Sequence, residues 1–186
     1  MFFRILLLSL AVFALSANRA AAFSNGLVAA SCESMLPGHS TFMPQNSASP
    51  YTVSTSMSYY KPGDSVTVTL EAAGNSSAFL GFMLQARVIG GRVPVGCFTS
   101  INSSLYQGLD CNNSPNSSVS HQSAIEKTQL QVTWEAPLNV APGDIMFCGT
   151  FVKNYQLFWV AVNSPPVKMV GVPSSFEPGM RPDHQH

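Results

Sequence analysis

Apolar and polar residues alternate with a period of two along parts of the chain, most clearly at 66–70 and 130–134. This period is typical of strands that bury one face. Other stretches rich in aromatic and β-branched residues are interpreted as further strands: 51–59, 80–88, 145–152 and 157–162. With turn sequences between them and no amphipathic helical period, the pattern predicts an all-β protein of some seven or eight strands. We expect an immunoglobulin-like two-sheet β-sandwich, with a small barrel as the alternative.

The N-terminus departs from this pattern. Arg4 is followed by a predominantly apolar run of eleven residues, 5–15, and later by three alanines at 20–22. The run is shorter than the roughly 20 residues that cross a bilayer, and the small residues after it suit signal peptidase. We therefore predict a signal peptide at 1–22, cleaved after Ala22 or, as second choice, after Ala17. The alternative, an alanine-rich core helix, would begin at residue 2 without a cap.

Charge disfavours several classes of partner. The whole chain has nine basic and nine acidic side chains, and only 10% of its residues are charged. Cleavage after Ala22 removes two arginines and leaves a small net negative charge. The remaining Lys and Arg residues stand singly, whereas nucleic-acid, heparin and anionic-membrane binding draw on clustered positive charge. We expect no nucleic-acid partner and no binding to anionic membranes.

The end of the chain is rich in proline and polar residues after Val162. We predict a folded domain at 23–165 and a Pro-rich, flexible tail at 166–186, with an edge strand at 167–172 as an option. The tail lacks the hydrophobic segment that a glycolipid anchor requires, so we expect a released protein without a membrane anchor. Asp183, His184 and His186 could bind a transition metal only weakly, because a loose tail adds no further ligands.

Four cysteines occur in the chain: Cys32, Cys97, Cys111 and Cys148. In a secreted protein this even number predicts two disulfides, and the residues alone leave three connectivities open. A zinc site is the alternative. It is disfavoured because no pair has Cys-x-x-Cys spacing and the predicted domain contains only two histidines. We expect no metal and no cofactor.

Asn-x-Ser glycosylation motifs agree with secretion. They begin at four positions: Asn75, Asn102, Asn112 and Asn116. Glycans need solvated positions, so these motifs predict loops around 73–78 and 100–120. Some of them can arise by chance in segments rich in asparagine and serine.

Few residues suit catalysis. His39 and His121 are candidate general bases, but the acidic residues are dispersed and no Gly-x-Ser-x-Gly motif occurs. We therefore predict no catalytic residue and interpret both histidines as structural. Arg87 could recognise a carboxylate, but it is interpreted as solvated or structurally paired. Six aromatic residues are interpreted as core between the sheets rather than as a ligand cleft: Phe79, Phe82, Trp134, Phe147, Phe158 and Trp159.

A set of short motifs runs in a specific order through the chain. It opens with Cys-x-x-Met-x-Pro-x-His at 32–39 and continues with Tyr-Lys-Pro-Gly at 60–63 and Phe-Leu-Gly-Phe-Met-Leu-Gln-Ala-Arg at 79–87. It closes with Cys111, Ser-His at 120–121 and Val-Thr-Trp-Glu-Ala-Pro at 132–137. Together these motifs, over residues 24–163, resemble the reeler (reelin N-terminal) domain.

The resemblance implies a secreted β-sandwich in which Cys32 is joined to Cys111. Cys97 and Cys148 are then left for each other. His39 and His121 follow the two joined cysteines at short distances, so we expect both imidazoles near that bridge, bonded to loop backbone.

Reeler domains occur in matrix and neuronal proteins such as reelin and spondin, at the front of ferric-chelate reductases, and alone in small secreted proteins similar to insect defence proteins. This chain resembles the last group because it is nearly all reeler domain. The resemblance brings no haem-binding bundle with it, so reductase activity is not expected. We predict a secreted, non-enzymatic innate-defence protein with antimicrobial or recognition activity. Its partner would be an unidentified extracellular ligand, such as a microbial surface, and the alternative is a matrix or adhesion module.

Overall fold

The computed structural model describes residues 24–39, 41–74, 77–102, 104–139 and 142–170. The predicted signal peptide at 1–22, Asn75, and the tail residues Asp183, His184 and His186 lie outside these ranges. Within them, no helix has the length and apolar character needed to span a bilayer.

The described residues form eleven strands and a short 3-10 helix, Ala29–Ser31. The strands are β1 Tyr51–Thr55, β2 Tyr59–Tyr60, β3 Ser65–Ala72, β4 Gly81–Val88, β5 Cys97–Thr99, β6 Tyr106–Cys111, β7 Ser114–His121, β8 Gln129–Glu135, β9 Ile145–Val152, β10 Phe158–Asn163 and β11 Lys168–Met169. An antiparallel four-stranded sheet has the order β1-β3-β8-β5. An antiparallel five-stranded sheet has the order β10-β9-β4-β7-β6, and β11 pairs with β2 in parallel.

The two larger sheets enclose one apolar core. Val66 of β3 pairs with Trp134 of β8, and both side chains are completely buried. Trp134 meets Phe147 of β9, in the other sheet, edge-on with ring centroids 5.5 Å apart. The six aromatic residues predicted for this core are all buried. Five of them belong to it: Phe79, Phe82, Trp134, Phe147 and Trp159. The prediction is wrong for Phe158, which pairs with Val152 on the outer face of the five-stranded sheet and contacts His39 there. The all-β prediction is confirmed, while its immunoglobulin-like detail stays a prediction.

The segment 106–121 is a β-hairpin, so the predicted loop over 100–120 is wrong for most of its length. Asn112 and Asn113 form the two-residue turn with φ of 53° and 59°, as a type I′ turn requires. The prediction failed because β7 is rich in serine, a residue that is mostly exposed in folded proteins. Here Ser117, Ser118 and Ser120 are buried, and their hydroxyls donate to backbone carbonyls, as that of Ser118 does to Leu84 on β4 (3.0 Å).

Residues 24–39, which we call the N-terminal cover, lie across the outer face of the five-stranded sheet. Arg87 of β4 holds the cover in place, since its Nη2 donates to the carbonyls of Cys32 (2.8 Å) and Glu33 (3.0 Å). The Nε of Arg87 donates to the side-chain oxygen of Gln85 (2.8 Å). Arg87 is therefore buried and structurally paired. With the apolar core on one side and the cover on the other, β4 is buried on both faces.

A disulfide fixes the N-terminal cover to the β6–β7 hairpin. It joins Cys32 to Cys111, whose Cα atoms lie 5.6 Å apart, as the resemblance implies. The hydroxyl of Thr150 on β9 adds a second attachment by donating to the carbonyl of Met35 (2.7 Å). The cover is thus bound covalently to one strand and by hydrogen bonds to its neighbours.

The predicted second bridge, between Cys97 and Cys148, is not formed, and both cysteines are free. Cys97 precedes the inward-facing Phe98 on β5, so its side chain lies on the outer face of the four-stranded sheet. Cys148 follows the inward-facing Phe147 on β9, so it lies on the outer face of the five-stranded sheet. The whole core separates the two thiols, whereas a disulfide needs Cα atoms within about 7 Å.

The chain stays packed beyond β10. Val167 is completely buried in the core and forms a β-bridge with Ile145. β11 follows directly, so the edge strand expected at 167–172 is present but only two residues long. The folded part therefore reaches at least Val170, beyond the boundary expected at 165.

Candidate functional site: a cavity between two histidines

His121, the last residue of β7, packs against the start of β4. Its Nδ1 lies 3.2 Å from the backbone nitrogen of Phe82, whose N–H donates to it, and the side chain is buried. A Cβ on Gly81 would come within 3.0 Å of the imidazole. The glycine at the start of β4 therefore allows the ring to approach the strand closely.

His39 approaches the same region from the N-terminal cover. Its ring centroid lies 4.4 Å from that of Tyr155 and 5.4 Å from that of Phe158, and only 7% of the residue is exposed. Burial lowers the pKa of the imidazole below its usual value of 6.5, and a hydrogen bond to the Tyr155 backbone opposes that shift. Nδ1 is buried without a hydrogen-bond partner. Burial of His39 therefore disfavours its charged form.

The two imidazoles line one cavity of about 140 Å³. Its walls are apolar and come from three elements: Val28 of the N-terminal cover, Leu80 before β4, and Val152 at the end of β9. Exposed residues, among them Ser24 and Asn154, form the rim. The cavity therefore has a largely apolar interior and an opening at the protein surface.

Lys127 holds the loop that follows His121. It is buried, and its Nζ donates to the carbonyls of Leu80 (3.0 Å), Ser123 (3.0 Å) and Ile125 (2.8 Å). Burial lowers the pKa of the ammonium group, and the three carbonyl dipoles replace part of the lost hydration. Ala124 of this loop lines the cavity, so the lysine fixes one part of the cavity wall. Nothing in the sequence singles out Lys127 for this role.

The cavity combines two imidazole side chains with mostly apolar walls. The Nδ1 of His121 is engaged by β4, and the residues that line the cavity include no carboxylate, thiol or amine. In the described ranges, no three side chains of the metal-binding types gather at one place. The lining thus consists of two imidazoles among mostly apolar side chains.

The structure agrees in part with what was expected of the histidines. Both rings contact backbone, and one contact of His121 is to Phe82 of strand β4. Val28 of the cavity wall packs in one apolar cluster with Cys111, which places the cavity beside the disulfide. The shared cavity itself was missed, because the two histidines are far apart in sequence. Gly81, at the start of the apolar strand β4, was the signal that could have pointed to it.

The described glycosylation motifs lie outside the cavity. Asn112 and Asn116 are exposed towards the turn end of the β6–β7 hairpin, and Asn116, the nearer to His121 along β7, is about 17 Å from it. Asn102 is also exposed, and it lies at the other end of the hairpin. Its carbonyl accepts a hydrogen bond from the N–H of Tyr106, and Tyr106 pairs with His121. Sugars at these positions would therefore stand at both ends of the hairpin. Glycosylation itself stays a prediction.

The two free thiols do not belong to this site. Burial raises the pKa of Cys148, although Arg87 nearby acts in the opposite sense. Burial and the carboxylate of Glu135 both raise the pKa of Cys97. Both cysteines therefore stay in the protonated form at neutral pH, which makes them poor nucleophiles.

A family comparison matches most of the chain. Residues 30–175 match the family model described as "Reeler domain". The chain belongs to the reeler family. The 21% identical reeler domain of human F-spondin, a solved structure, has the same fold, with a TM-score of 0.58 over 69% of this chain and 94% of that one.

Two curated relatives of this reeler protein differ in how much of their length it spans. It is 41% identical over 145 residues to "Putative ferric-chelate reductase 1" of Danio rerio, covering 78% of this chain and 25% of that protein. It is 38% identical over 149 residues to "Putative defense protein 3" of Antheraea mylitta, covering 80% of this chain and 88% of that protein. The chain thus spans about a quarter of the reductase relative and most of the defence relative.

Proposed function

We propose that this chain is a secreted, non-enzymatic protein of innate defence that recognises microbial surfaces. The observation that carries the proposal is the match to "Putative defense protein 3", which extends over 88% of that protein. The reductase match covers a quarter of its protein, so it supports a shared domain rather than a shared reaction.

Secretion is part of the proposal for two reasons. The apolar run and small residues within 1–22 are typical of a signal peptide. The Cys32–Cys111 disulfide needs an oxidising compartment to form and persist. In that compartment we expect sugars on one or more of Asn102, Asn112 and Asn116, carried by a sandwich of immunoglobulin type.

We place recognition on a broad groove beside β2, of about 650 Å³, lined by 54–59, Asp64 and 165–166. Tyr59 is 61% exposed at this groove and is surrounded by serine and threonine residues of 54–58. An exposed aromatic ring can pack on the C–H face of a sugar, while hydroxyls and a carboxylate hydrogen-bond to its hydroxyl groups. This chemistry suits the carbohydrate of a microbial cell wall.

The experiment is a binding assay with the secreted, glycosylated protein on intact bacteria, peptidoglycan, lipopolysaccharide, β-glucan and cell-derived matrix. We expect saturable binding to at least one microbial material and a loss of about tenfold in affinity with Tyr59→Ala, since exposed aromatic anchors dominate binding. Met43→Ala is the matched control, because Met43 is 80% exposed and does not line the groove. Growth of the bound organisms reports antimicrobial activity separately.

Binding to matrix alone would replace the defence proposal by the adhesion-module alternative. Binding to neither material would overturn both. Microbial binding that Tyr59→Ala leaves unchanged would keep the defence role and move the recognition surface away from the groove.

A further inference from the structure

A second, smaller cavity adjoins the cavity between the histidines. Its volume is about 30 Å³, and four residues line both cavities: Val28, Pro37, His121 and Val152. The other walls of the smaller cavity come from the N-terminal cover, which contributes Met35, from β4, which contributes Met83, and from β9. The two spaces therefore lie next to each other, between the cover and the outer face of the five-stranded sheet.

Two hydroxyl groups line the smaller cavity, and both are bonded to the cover. The hydroxyl of Ser31 donates to the carbonyl of Leu36 (2.6 Å), and that of Thr150 donates to the carbonyl of Met35 (2.7 Å). Among the described residues that line the two cavities there is no Asp, Glu, Lys or Arg. Because most of the wall is apolar and these hydroxyl protons are already bonded, the occupant that suits the space is itself apolar.

The sizes of the two cavities favour a chain over a ring. An engineered apolar cavity of about 150 Å³ in another protein binds benzene, so the larger cavity here, of about 140 Å³, has room for about six carbon atoms. The smaller one, of about 30 Å³, is too small for a ring but has room for about one further carbon. A ring therefore fills only the larger cavity, whereas an unbranched chain of about seven carbons fills both.

We propose that the two cavities together bind the end of an unbranched aliphatic chain. The methyl end lies in the smaller cavity, and the methylene groups pack against Val28 and Val152. The polar head of the molecule stays in water at the rim, beside Ser24 and Asn154. Burial of the methylene groups supplies the affinity. This site is separate from the groove at Tyr59, so it does not depend on the defence proposal.

The test titrates 1-alkanols, from 1-butanol to 1-nonanol, into the ¹⁵N-labelled secreted protein and follows binding by NMR. The amides of Gly38 and Gly81 report on the larger cavity, and those of Ser31 and Thr150 on the smaller one. We expect saturable shifts at all four amides and an affinity that rises about fourfold per methylene group and levels off beyond about seven carbons. An affinity that rises equally through the whole series would overturn the proposal, as would shifts confined to other residues or no binding at all.

Cyclohexylmethanol separates the chain from the ring, because it has the carbon number and the hydroxyl group of 1-heptanol. It should shift the amides of Gly38 and Gly81 and leave those of Ser31 and Thr150 unchanged, since its ring cannot enter the smaller cavity. Equal shifts of all four amides by the two alcohols would refute a site that is selective for a chain.

One variant tests the place where the two cavities meet. Val152 lines both cavities, so Val152→Phe should fill this place and abolish binding of 1-heptanol. Val160→Phe is the matched control, because Val160 lies on β10 outside both linings and the variant should bind as the unsubstituted protein does. Unchanged binding by Val152→Phe would overturn the proposal. If Val152→Phe does not fold, the levelling of the affinity and the four amides of the unsubstituted protein still decide.

An unbranched aliphatic chain occurs both in free alcohols and acids and in lipids. Diheptanoylphosphatidylcholine, kept below the concentration at which it forms micelles, distinguishes these two sources. Shifts at the same four amides with this lipid would support a lipid chain as the occupant. Binding of 1-heptanol without binding of the lipid would support a free chain in the same site.

Discussion

The inter-sheet core and the N-terminal cover are stabilised in different ways. The core is a continuous set of apolar side chains from both sheets, with Trp134 and Phe147 in edge-on contact across it. The cover is held by directed interactions: the Cys32–Cys111 disulfide, the guanidinium of Arg87 and the hydroxyl of Thr150. Apolar packing stabilises the fold through many contacts that each contribute a little. The stabilisation from a hydrogen bond or a disulfide depends instead on single atoms.

The difference explains where a ligand site can form. A close-packed core has few voids larger than a water molecule. A segment attached at separate points can leave space between its attachments, and the cavity of His39 and His121 lies at such a place, between the cover and the ends of β4 and β9. Substitutions in the core should therefore unfold the whole domain, while substitutions in the cover should release it locally.

The largest effect is expected for Trp134→Ala, in the middle of the core. It removes a completely buried indole and the hydrogen bond from its Nε1 to the carbonyl of Val95 (2.8 Å). We expect a loss of about 3–5 kcal/mol in the free energy of unfolding, measured by chemical denaturation. Trp134→Phe, which keeps part of the volume, should lose less. Equal losses of unfolding free energy in the two variants would show that the stability of the core does not depend on the volume of the side chain at this position.

The second effect is expected on removing the covalent attachment of the cover. The double variant Cys32→Ser with Cys111→Ser opens a link between residues 79 apart in sequence and should cost about 2–4 kcal/mol. The rate of amide hydrogen exchange should rise first in 24–39 and only later in β3 and β8. Simultaneous exchange in both regions would contradict a cover that is held separately from the core.

The third effect is expected for Arg87→Met, which keeps the apolar stem but removes the donors to the cover. The carbonyls of Cys32 and Glu33 lose these partners, and we expect a loss of about 1–3 kcal/mol. Limited proteolysis should then cut within 24–39 before it cuts elsewhere. Arg92→Met is the control, since Arg92 is exposed and has only a long contact of 3.8 Å to Glu33.

A small effect is expected for Cys97→Ser and for Cys148→Ala, because neither cysteine is bridged. Each single variant should change the free energy of unfolding by less than about 1 kcal/mol. Mass spectrometry under denaturing, non-reducing conditions should find two alkylatable thiols per chain. A large loss of unfolding free energy in both variants, together with no alkylated thiol, would instead show that Cys97 and Cys148 form a disulfide.

The smallest effect concerns pH and His39. Burial lowers the pKa of this imidazole in the folded state, so the unfolded chain takes up the proton more readily. Stability should therefore fall as the pH drops below 6.5, until the folded-state pKa is passed. Denaturation at pH 7.5 and at pH 5 measures the change, and His39→Phe should lose less stability over the same interval. An equal loss would assign the pH dependence to other groups.

The sequence predicted those features that depend on local pattern. The strand expected at 145–152 is β9 itself, and the alternation at 66–70 and 130–134 lies within β3 and β8. Local pattern failed for β7, because the burial of its serines depends on carbonyls such as that of Leu84 on another strand. It also failed for Cys97 and Cys148, whose separation follows from which face of which sheet each occupies. The cavity could not be predicted from local pattern either, since His39 lies in the N-terminal cover and His121 on β7, far apart in the sequence.

The attachments of the N-terminal cover set an order of events during synthesis. Met35 leaves the ribosome long before Thr150, the residue on β9 that bonds to it across 115 positions. The cover therefore emerges first, yet it can dock only after β4, β7 and β9 have assembled, and until then Cys32 is available to any other thiol. Contacts of such long sequence separation slow folding. Correct maturation of this chain should accordingly depend on an oxidoreductase that can undo premature pairing of its first cysteine.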